Sequence, residues 1–232
     1  MTREPRLVFF PGMAVDVRLY DPQRTAFPDL ITPSWIPHVE GESMRQYAAR
    51  YAKHLVETDA IGDTSWPLIL GGVSMGGMMS LELSHHLPAA AVILIGSCTS
   101  AKAVGPWMHA LEQVSRPINA NIIGTGKAAA SPFLGRGVPE EHRQNLIAML
   151  QDVPADFLKW CARAIVTWEG TTGKAPVHHI HGDNDWVIPH SRLTLPPTKL
   201  VPKGAHVLNL SHPQEVNAFV HDVVRLVSNS AG

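Results

Sequence analysis

The sequence has few cysteines and few charged residues, and each shortage excludes a class of protein. Cys98 and Cys161 are the only cysteines in 232 residues, too few for a disulfide-stabilised scaffold. Charged residues make up 17% of the chain, and 19 basic against 20 acidic side chains leave a formal net charge of −1. Because no basic run or basic face is present, the sequence argues against nucleic acid as a partner.

Long apolar runs are also missing. The N-terminal stretch MTREPRLVFFPGM mixes both charges and contains only a short apolar run. A secretory signal peptide has a longer hydrophobic region and a cleavage site of small residues. No window approaches the roughly 18 uninterrupted apolar residues of a membrane-spanning helix. We therefore expect a cytoplasmic protein that has no membrane partner.

The apolar residues that are present, 45% of the chain, form short runs that alternate with longer amphipathic ones. This alternation is typical of one α/β domain with a mostly parallel sheet flanked by helices. Apolar runs predict strands over residues 6–10, 31–36, 67–73, 90–97, 177–183 and 198–206. The amphipathic runs predict helices over 43–60, with Ser43 as N-cap, and over 75–86 and 212–227.

About eighty residues between the fourth and fifth of these strands have a different character. They contain three helix-like runs, at 107–114, 140–151 and 155–168, and a stretch rich in glycine, alanine and proline at 121–139. We therefore predict a core formed by residues 1–100 and 175–232, with a helical cap or lid inserted over 101–174.

The pentapeptide Gly72-Val73-Ser74-Met75-Gly76 matches the pattern G-x-S-x-G between a predicted strand and a predicted helix. In that context the pattern is typical of a nucleophile elbow, a sharp turn that raises a serine hydroxyl above a sheet. Gly72 and Gly76 let strand and helix approach closely, so Ser74 can be held in a strained conformation. The alternative is a glycine-rich turn with an inert serine.

A serine hydroxyl becomes a good nucleophile only beside a base that an acid orients. Asp185 follows the predicted strand 177–183, and His206 lies between the last strand and the last helix. Both are therefore expected at strand C-terminal ends, where open α/β sheets gather their catalytic groups. Asp183 is an alternative acid, and His212 an alternative base, although His212 directly precedes Pro213 at the start of a helix.

With these motifs in place, the sequence resembles the α/β-hydrolase superfamily over essentially the whole chain apart from the insertion. The matching segments are GVSMGG, GDNDWVIP, GAH and the oxyanion-loop-like FFPGMAVDVRLYD. The resemblance is closest to small lidded carboxylesterases, and it implies an oxyanion hole formed by the backbone N–H groups of Met13 and Met75. Pro11 stands where the family usually has histidine, and Ala14 where a second glycine is common. The two usual N-terminal strands are missing before the first strand, so we expect about six strands rather than eight.

No cofactor or metal is expected. GTGKAA at 124–129 lacks the first glycine and the Ser/Thr of a phosphate-binding loop. His178, His179 and His181 have no carboxylate or cysteine cluster at a recognisable metal-ligand spacing.

The predicted function is a serine hydrolase that cleaves carboxylic esters of small, acyl or aromatic substrates through an acyl-enzyme. Trp107, Met108, Trp186 and Cys98 are the candidate residues of an apolar substrate pocket. The same triad would serve a thioesterase, lactonase, amidase or carbon–carbon hydrolase, and the fold does not choose among them. A hydrolase-like receptor that only binds its ligand is the alternative from another class.

Overall fold

The computed structural model of the protein describes residues 4–118 and 136–230. The GTGKAA segment at 124–129 lies outside the described residues. The described part contains a five-stranded, all-parallel sheet in the spatial order β1-β2-β3-β4-β5. Its strands are β1 (Arg6–Phe10), β2 (Leu68–Val73), β3 (Ala89–Ile95), β4 (Val177–Gly182) and β5 (Lys199–Val201).

The strand predicted over 31–36 is reduced to a single bridge. Ile31 pairs in parallel with Val8: it donates to the Leu7 carbonyl oxygen and accepts from the Phe9 N–H, each at 2.9 Å. Two residues further on, Pro33 has no N–H with which to continue the ladder. The described sheet therefore has five strands where the sequence predicted about six.

Helices fill the connections at nearly the predicted positions. Those of the described residues are α1 (Asp21–Ala26), α2 (Met44–Glu57), α3 (Met75–Leu83), α4 (Pro106–Ser115), α5 (Glu140–Asp152), α6 (Ala155–Val166), α7 (Leu208–Ser211) and α8 (Pro213–Ser230). Ser43 caps α2 as predicted: its hydroxyl accepts from the Gln46 N–H at 3.3 Å, and Gln46 Oε1 accepts from the Ser43 N–H at 2.9 Å. This reciprocal pair satisfies two donors that a helix start leaves free.

Alternate residues along each strand enter one of two cores, one on each face of the sheet. In β1, Val8 and Phe10 belong to the first core, and Leu7 and Phe9 belong to the second. Helices α2, α3 and α6 contribute to the first core, whereas α8 covers the second. Burial of both faces explains the continuous apolar runs of β2 and β3.

Among the described residues between β3 and β4, the helices α4, α5 and α6 lie within the predicted insertion. Helix α6 packs on α2 through Tyr47 and Trp160, whose ring centroids lie 4.5 Å apart, and on the segment before α2 through Phe157 and Trp35, whose centroids lie 6.1 Å apart. A role for this segment as a lid stays a prediction. Within the described ranges, no helix combines the length and the apolarity that crossing a membrane requires.

Candidate active site

Ser74 occupies the junction between β2 and α3 in a strained backbone conformation. Its φ of 55° and ψ of −121° lie in a region that L-residues rarely adopt. Two bonds from the end of β3 hold it there: the Ser74 N–H donates to the Ile95 carbonyl oxygen at 3.0 Å, and the Ser97 hydroxyl donates to the Ser74 carbonyl oxygen at 2.6 Å. The sequence expectation of a strained serine at this turn is confirmed.

The glycines of the motif permit a close approach of three backbones. A Cβ on Gly72 would lie 2.5 Å from the Gly76 carbonyl carbon and 2.5 Å from the Phe10 carbonyl oxygen. A Cβ on Gly76 would overlap the Phe10 carbonyl oxygen outright. Any larger residue at either position would therefore push α3 and the end of β1 away from Ser74.

Asp185 and His206 meet beside the carboxyl ends of β4 and β5. His206 Nδ1 lies 2.8 Å from Asp185 Oδ2, and the N–H groups of Val187 and Ile188 both donate to Asp185 Oδ1 at 2.9 Å. Because the carboxylate can only accept, Nδ1 of His206 carries the proton and Nε2 of the neutral ring is left as the base. This is the arrangement of an acid that orients a histidine.

Electrostatics keep the acid ionised. Burial alone would raise the pKa of Asp185, but the charge of His206 and hydrogen bonds from His181, His206 and the Ile188 N–H together hold it well below its ordinary value. Asp185 is therefore a carboxylate throughout the neutral range and can stabilise a cation on His206.

The two alternative residues lie in other environments. Asp183 is exposed, and its Oδ1 accepts from the Lys203 N–H at 2.6 Å. His212 Nδ1 lies 3.0 Å from the Ser211 hydroxyl in a partly buried contact. Among the described residues, neither side chain forms a hydrogen bond with Ser74, Asp185 or His206, so the geometry favours the preferred assignment.

The loop after β1 lies against the serine turn. A Cβ on Gly12 would lie 3.6 Å from Ser74 Cβ, and Ala14 adopts a positive φ of 69°. That conformation favours glycine, so alanine is strained at this position. The backbone N–H groups of Met13 and Met75 have no hydrogen-bond acceptor within the described part of the chain, as free oxyanion donors require.

The four candidate pocket residues lie in one apolar region. Met108 and Cys98 are buried in the first core. Trp107 and Trp186 are partly buried and pack against it. The two indole rings lie 5.6 Å apart. Met75 belongs to the same core and Met13 packs on it, so the predicted pocket residues and oxyanion residues share one cluster.

Several contributors to the site carry no local sequence signal. The Tyr20 hydroxyl binds the Val73 N–H, and the Ser97 hydroxyl binds the Ser74 carbonyl oxygen, in each case across a long separation in the chain. Asn209, three residues after His206, donates to the Leu19 carbonyl oxygen at 2.7 Å. Only the folded chain brings these partners together.

The histidines of β4 are not arranged as a metal site. His179 Nε2 lies 2.9 Å from His181 Nδ1, so these two nitrogens are occupied by each other. In residues 4–118 and 136–230, no group of three or more His, Cys, Asp or Glu side chains is placed to hold a metal ion.

Sequence comparison assigns the chain to a known family. The model of the Alpha/beta hydrolase family matches residues 7–219, which is most of the chain, so this protein belongs to the α/β-hydrolase family. No curated protein matches the chain at a significant level of sequence similarity.

Solved structures of similar fold include several hydrolases. A thermophilic esterase from Thermogutta terrifontis is 18% identical with a TM-score of 0.70, covering 98% of this chain and 91% of its own. A hydrolase from Pseudomonas aeruginosa PA01 is 16% identical with a TM-score of 0.69, and the match covers 94% of this chain and 89% of the hydrolase. The enol-lactonase from Burkholderia xenovorans LB400 is 17% identical with a TM-score of 0.68, and the match covers 95% of this chain and 91% of the enol-lactonase. At these identities the similarity establishes the shared fold alone.

Proposed function

We propose that the protein is a serine hydrolase that cleaves carboxylic esters by a Ser74–His206–Asp185 triad. The observation that carries the proposal is the 2.8 Å contact between His206 Nδ1 and Asp185 Oδ2, in a sheet whose second strand ends at a strained serine. A serine at such a turn has few structural reasons to tolerate the strain. A catalytic role for the Ser74 hydroxyl would account for the strain.

In the first half-reaction His206 Nε2 takes the Ser74 proton as the hydroxyl attacks the ester carbonyl carbon. The imidazolium that forms is stabilised by the Asp185 carboxylate. The carbonyl oxygen becomes an oxyanion, and the backbone N–H groups of Met13 and Met75 donate to it, each such donor being worth roughly 3 to 4 kcal/mol. His206 then protonates the departing alcohol, which leaves an acyl group on Ser74.

The second half-reaction repeats these roles with water. His206 Nε2 takes a proton from a water molecule, whose oxygen attacks the acyl carbon and forms a second oxyanion in the same place. Collapse of that oxyanion releases the acid and returns the proton to Ser74.

The substrate proposed is a small, acyl or aromatic ester. Support comes from the Met13, Met75, Met108, Trp107 and Trp186 side chains, which share the first core or pack against it. Methionine adapts to irregular apolar shapes, and indole rings supply flat apolar walls. The same triad chemistry extends to thioesters and lactones, so the bond cleaved is tested directly.

The test is covalent labelling with a fluorophosphonate probe, with the modified residue mapped by mass spectrometry. We expect one adduct, on Ser74, and an initial burst with p-nitrophenyl acyl esters of graded chain length. Parallel thioesters and lactones of the same chain length identify the preferred bond. Multiple turnovers would exclude a receptor that acylates once and retains its ligand.

Ser211→Ala is the matched control for Ser74→Ala, because the Ser211 hydroxyl contacts a histidine, His212, that lies outside the proposed triad. Ser74→Ala should abolish both labelling and burst, and Ser211→Ala should retain both. Equal labelling of Ser74→Ala and the unmodified protein would refute the proposed nucleophile.

A further inference from the structure

A second pair of histidines lies behind the acid of the triad. His179 and His181 alternate on β4 with their side chains on one face of the sheet, and both are buried, at 4% and 0% exposure. His179 Nε2 lies 2.9 Å from His181 Nδ1. His181 Nε2 in turn lies 2.8 Å from the Ile188 carbonyl oxygen and 3.3 Å from Asp185 Oδ2. An unbroken line of polar contacts thus runs from His179 to His206.

The acceptors at one end of this line determine where the protons are. The Ile188 carbonyl oxygen and the Asp185 carboxylate can only accept, so His181 Nε2 must carry a proton. In the neutral ring, His181 Nδ1 is then a lone pair and requires a donor. His179 Nε2 is the atom that faces it, so it carries the proton that His181 accepts.

Burial keeps this arrangement fixed. Desolvation, reinforced by the charge of His181, lowers the pKa of His179 to about 3, against smaller opposing effects of Asp185 and the Ser97 backbone. His179 is therefore neutral at any ordinary pH and remains a donor of a single proton to His181.

Asp185 consequently receives donors on both oxygens. Oδ1 accepts from the N–H groups of Val187 and Ile188, and Oδ2 faces both His206 and His181. The titratable groups near the carboxylate are these two rings, His179 behind them, and the Cys98 thiol on the segment after β3, whose pKa burial raises to about 12.

We propose that His181 is a positioning residue that holds the orientation of Asp185, and that His179 acts by fixing the tautomer of His181. The inference rests on the proposed function, since it assigns these rings a role in the same acyl transfer. Without the N–H of His181, whose Nε2 lies 3.3 Å from Asp185 Oδ2, the carboxylate loses one of the contacts that hold it and is freer to turn away from His206. His206 is then held less firmly in the orientation that accepts the Ser74 proton, so turnover falls while substrate binding is unaffected.

Two near-isosteric variants separate the proposed role from simple packing. In His181→Gln the amide nitrogen reaches the position of Nε2 and keeps the donor to Asp185. In His181→Asn the amide reaches only the position of Nδ1, so contact with His179 survives and the donor to Asp185 is lost. We expect kcat to fall about tenfold in His181→Asn, with little change in KM, and to stay within about threefold in His181→Gln.

A double-mutant cycle tests the role of His179. If it acts only through His181, His179→Leu lowers kcat in the unmodified background and has no further effect in His181→Asn. Full additivity of the two substitutions would overturn that part of the proposal.

Proton NMR provides a readout that needs no substrate. In 15N-histidine-labelled protein, the downfield signal of the His206 Nδ1 proton should shift or broaden in His181→Asn and be retained in His181→Gln. Equal kinetics and equal signals in both variants would overturn the role of His181. Lack of Ser74 labelling in the unmodified protein would instead refute the proposed function, so the two failures are distinguishable.

Discussion

The Tyr20 hydroxyl donates a hydrogen bond of 2.6 Å to the Phe10 carbonyl oxygen, at the last residue of β1. The same hydroxyl accepts from the Val73 N–H at 2.9 Å, at the last residue of β2. One buried oxygen thus joins the strand that leads to the proposed oxyanion loop with the strand that leads to Ser74. The spacing between proposed nucleophile and oxyanion donors depends on this bridge.

Replacing Tyr20 with phenylalanine should lower both stability and turnover. It leaves the Phe10 carbonyl and the Val73 amide without their partner in a buried site, a loss of about 1–3 kcal/mol in the free energy of unfolding. Because the two strand ends are then free to shift, kcat should fall as well. Urea unfolding and steady-state ester hydrolysis measure the two effects.

Tyr47→Phe is the matched control, because the Tyr47 hydroxyl also donates to one backbone carbonyl and accepts from one N–H, both of Ile36. It should lower stability by a similar amount and leave kcat unchanged. Equal losses of kcat in the two variants would contradict the special role of Tyr20.

The choice between the two aspartates can be tested directly. Asp185→Asn presents an amide to His206 Nδ1 and favours the wrong imidazole tautomer, so kcat should fall by about four orders of magnitude. Asp183→Asn removes only the full charge of an acceptor for the Lys203 N–H and should leave kcat within about twofold. Burst and steady-state kinetics on one activated ester decide between them, and a reversed ranking would move the acid to Asp183.

Asp185 should also make stability depend on pH in the acidic range. Its pKa in the folded protein lies below the ordinary value, so the unfolded chain binds its proton first as pH falls. The stabilisation is therefore fully present above the unfolded pKa of about 3.9 and is lost as pH falls from there toward the lower folded pKa. The free energy of unfolding of the unmodified protein should decline more steeply below about pH 5 than that of Asp185→Asn. If the free energies of unfolding of the two proteins had the same pH dependence, the pKa of Asp185 would not be lowered in the folded protein.

Ala14→Gly should stabilise the protein. At a φ of 69° an L-residue is strained by about 1–2 kcal/mol, and part of this gain is offset by the greater freedom of glycine in the unfolded chain. We expect a net increase of about 0.5–1 kcal/mol in the free energy of unfolding. Ala49→Gly, on the exposed side of α2, should instead cost about 1 kcal/mol. A lower free energy of unfolding in both variants would mean that glycine at position 14 relieves no strain.

The two cysteines should resist alkylation in the folded protein. Cys98 and Cys161 are 1% and 0% exposed, and burial raises the pKa of Cys98 to about 12, so the reactive thiolate is scarce at neutral pH. Iodoacetamide should modify both thiols in urea and neither in buffer, as followed by mass spectrometry. Rapid modification of Cys98 in buffer would indicate that its part of the predicted pocket opens to solvent.

The predictions that the structure confirms concern features encoded locally. The strained turn at Ser74 follows from five consecutive residues, and the cap at Ser43 from four. The 31–36 strand was mispredicted because its apolar pattern outweighed Pro33, whose missing N–H ends pairing after Ile31. The Tyr20 bridge could not be predicted, since it depends on which backbone groups the fold brings near the Tyr20 hydroxyl.

The bridge at Ile31 also bears on how copies of the chain behave toward one another. The outer edge of β1 would otherwise present the Phe9 N–H and the Leu7 carbonyl to any extended segment in solution, and Ile31 occupies both. Pro33 cannot serve as a template for a further strand, and at the opposite edge β5 is only three residues long. A sheet with two apolar faces and open edges would be prone to edge-to-edge aggregation. Here the Val8–Ile31 pair and Pro33 protect the β1 edge, and the short length of β5 protects the opposite edge.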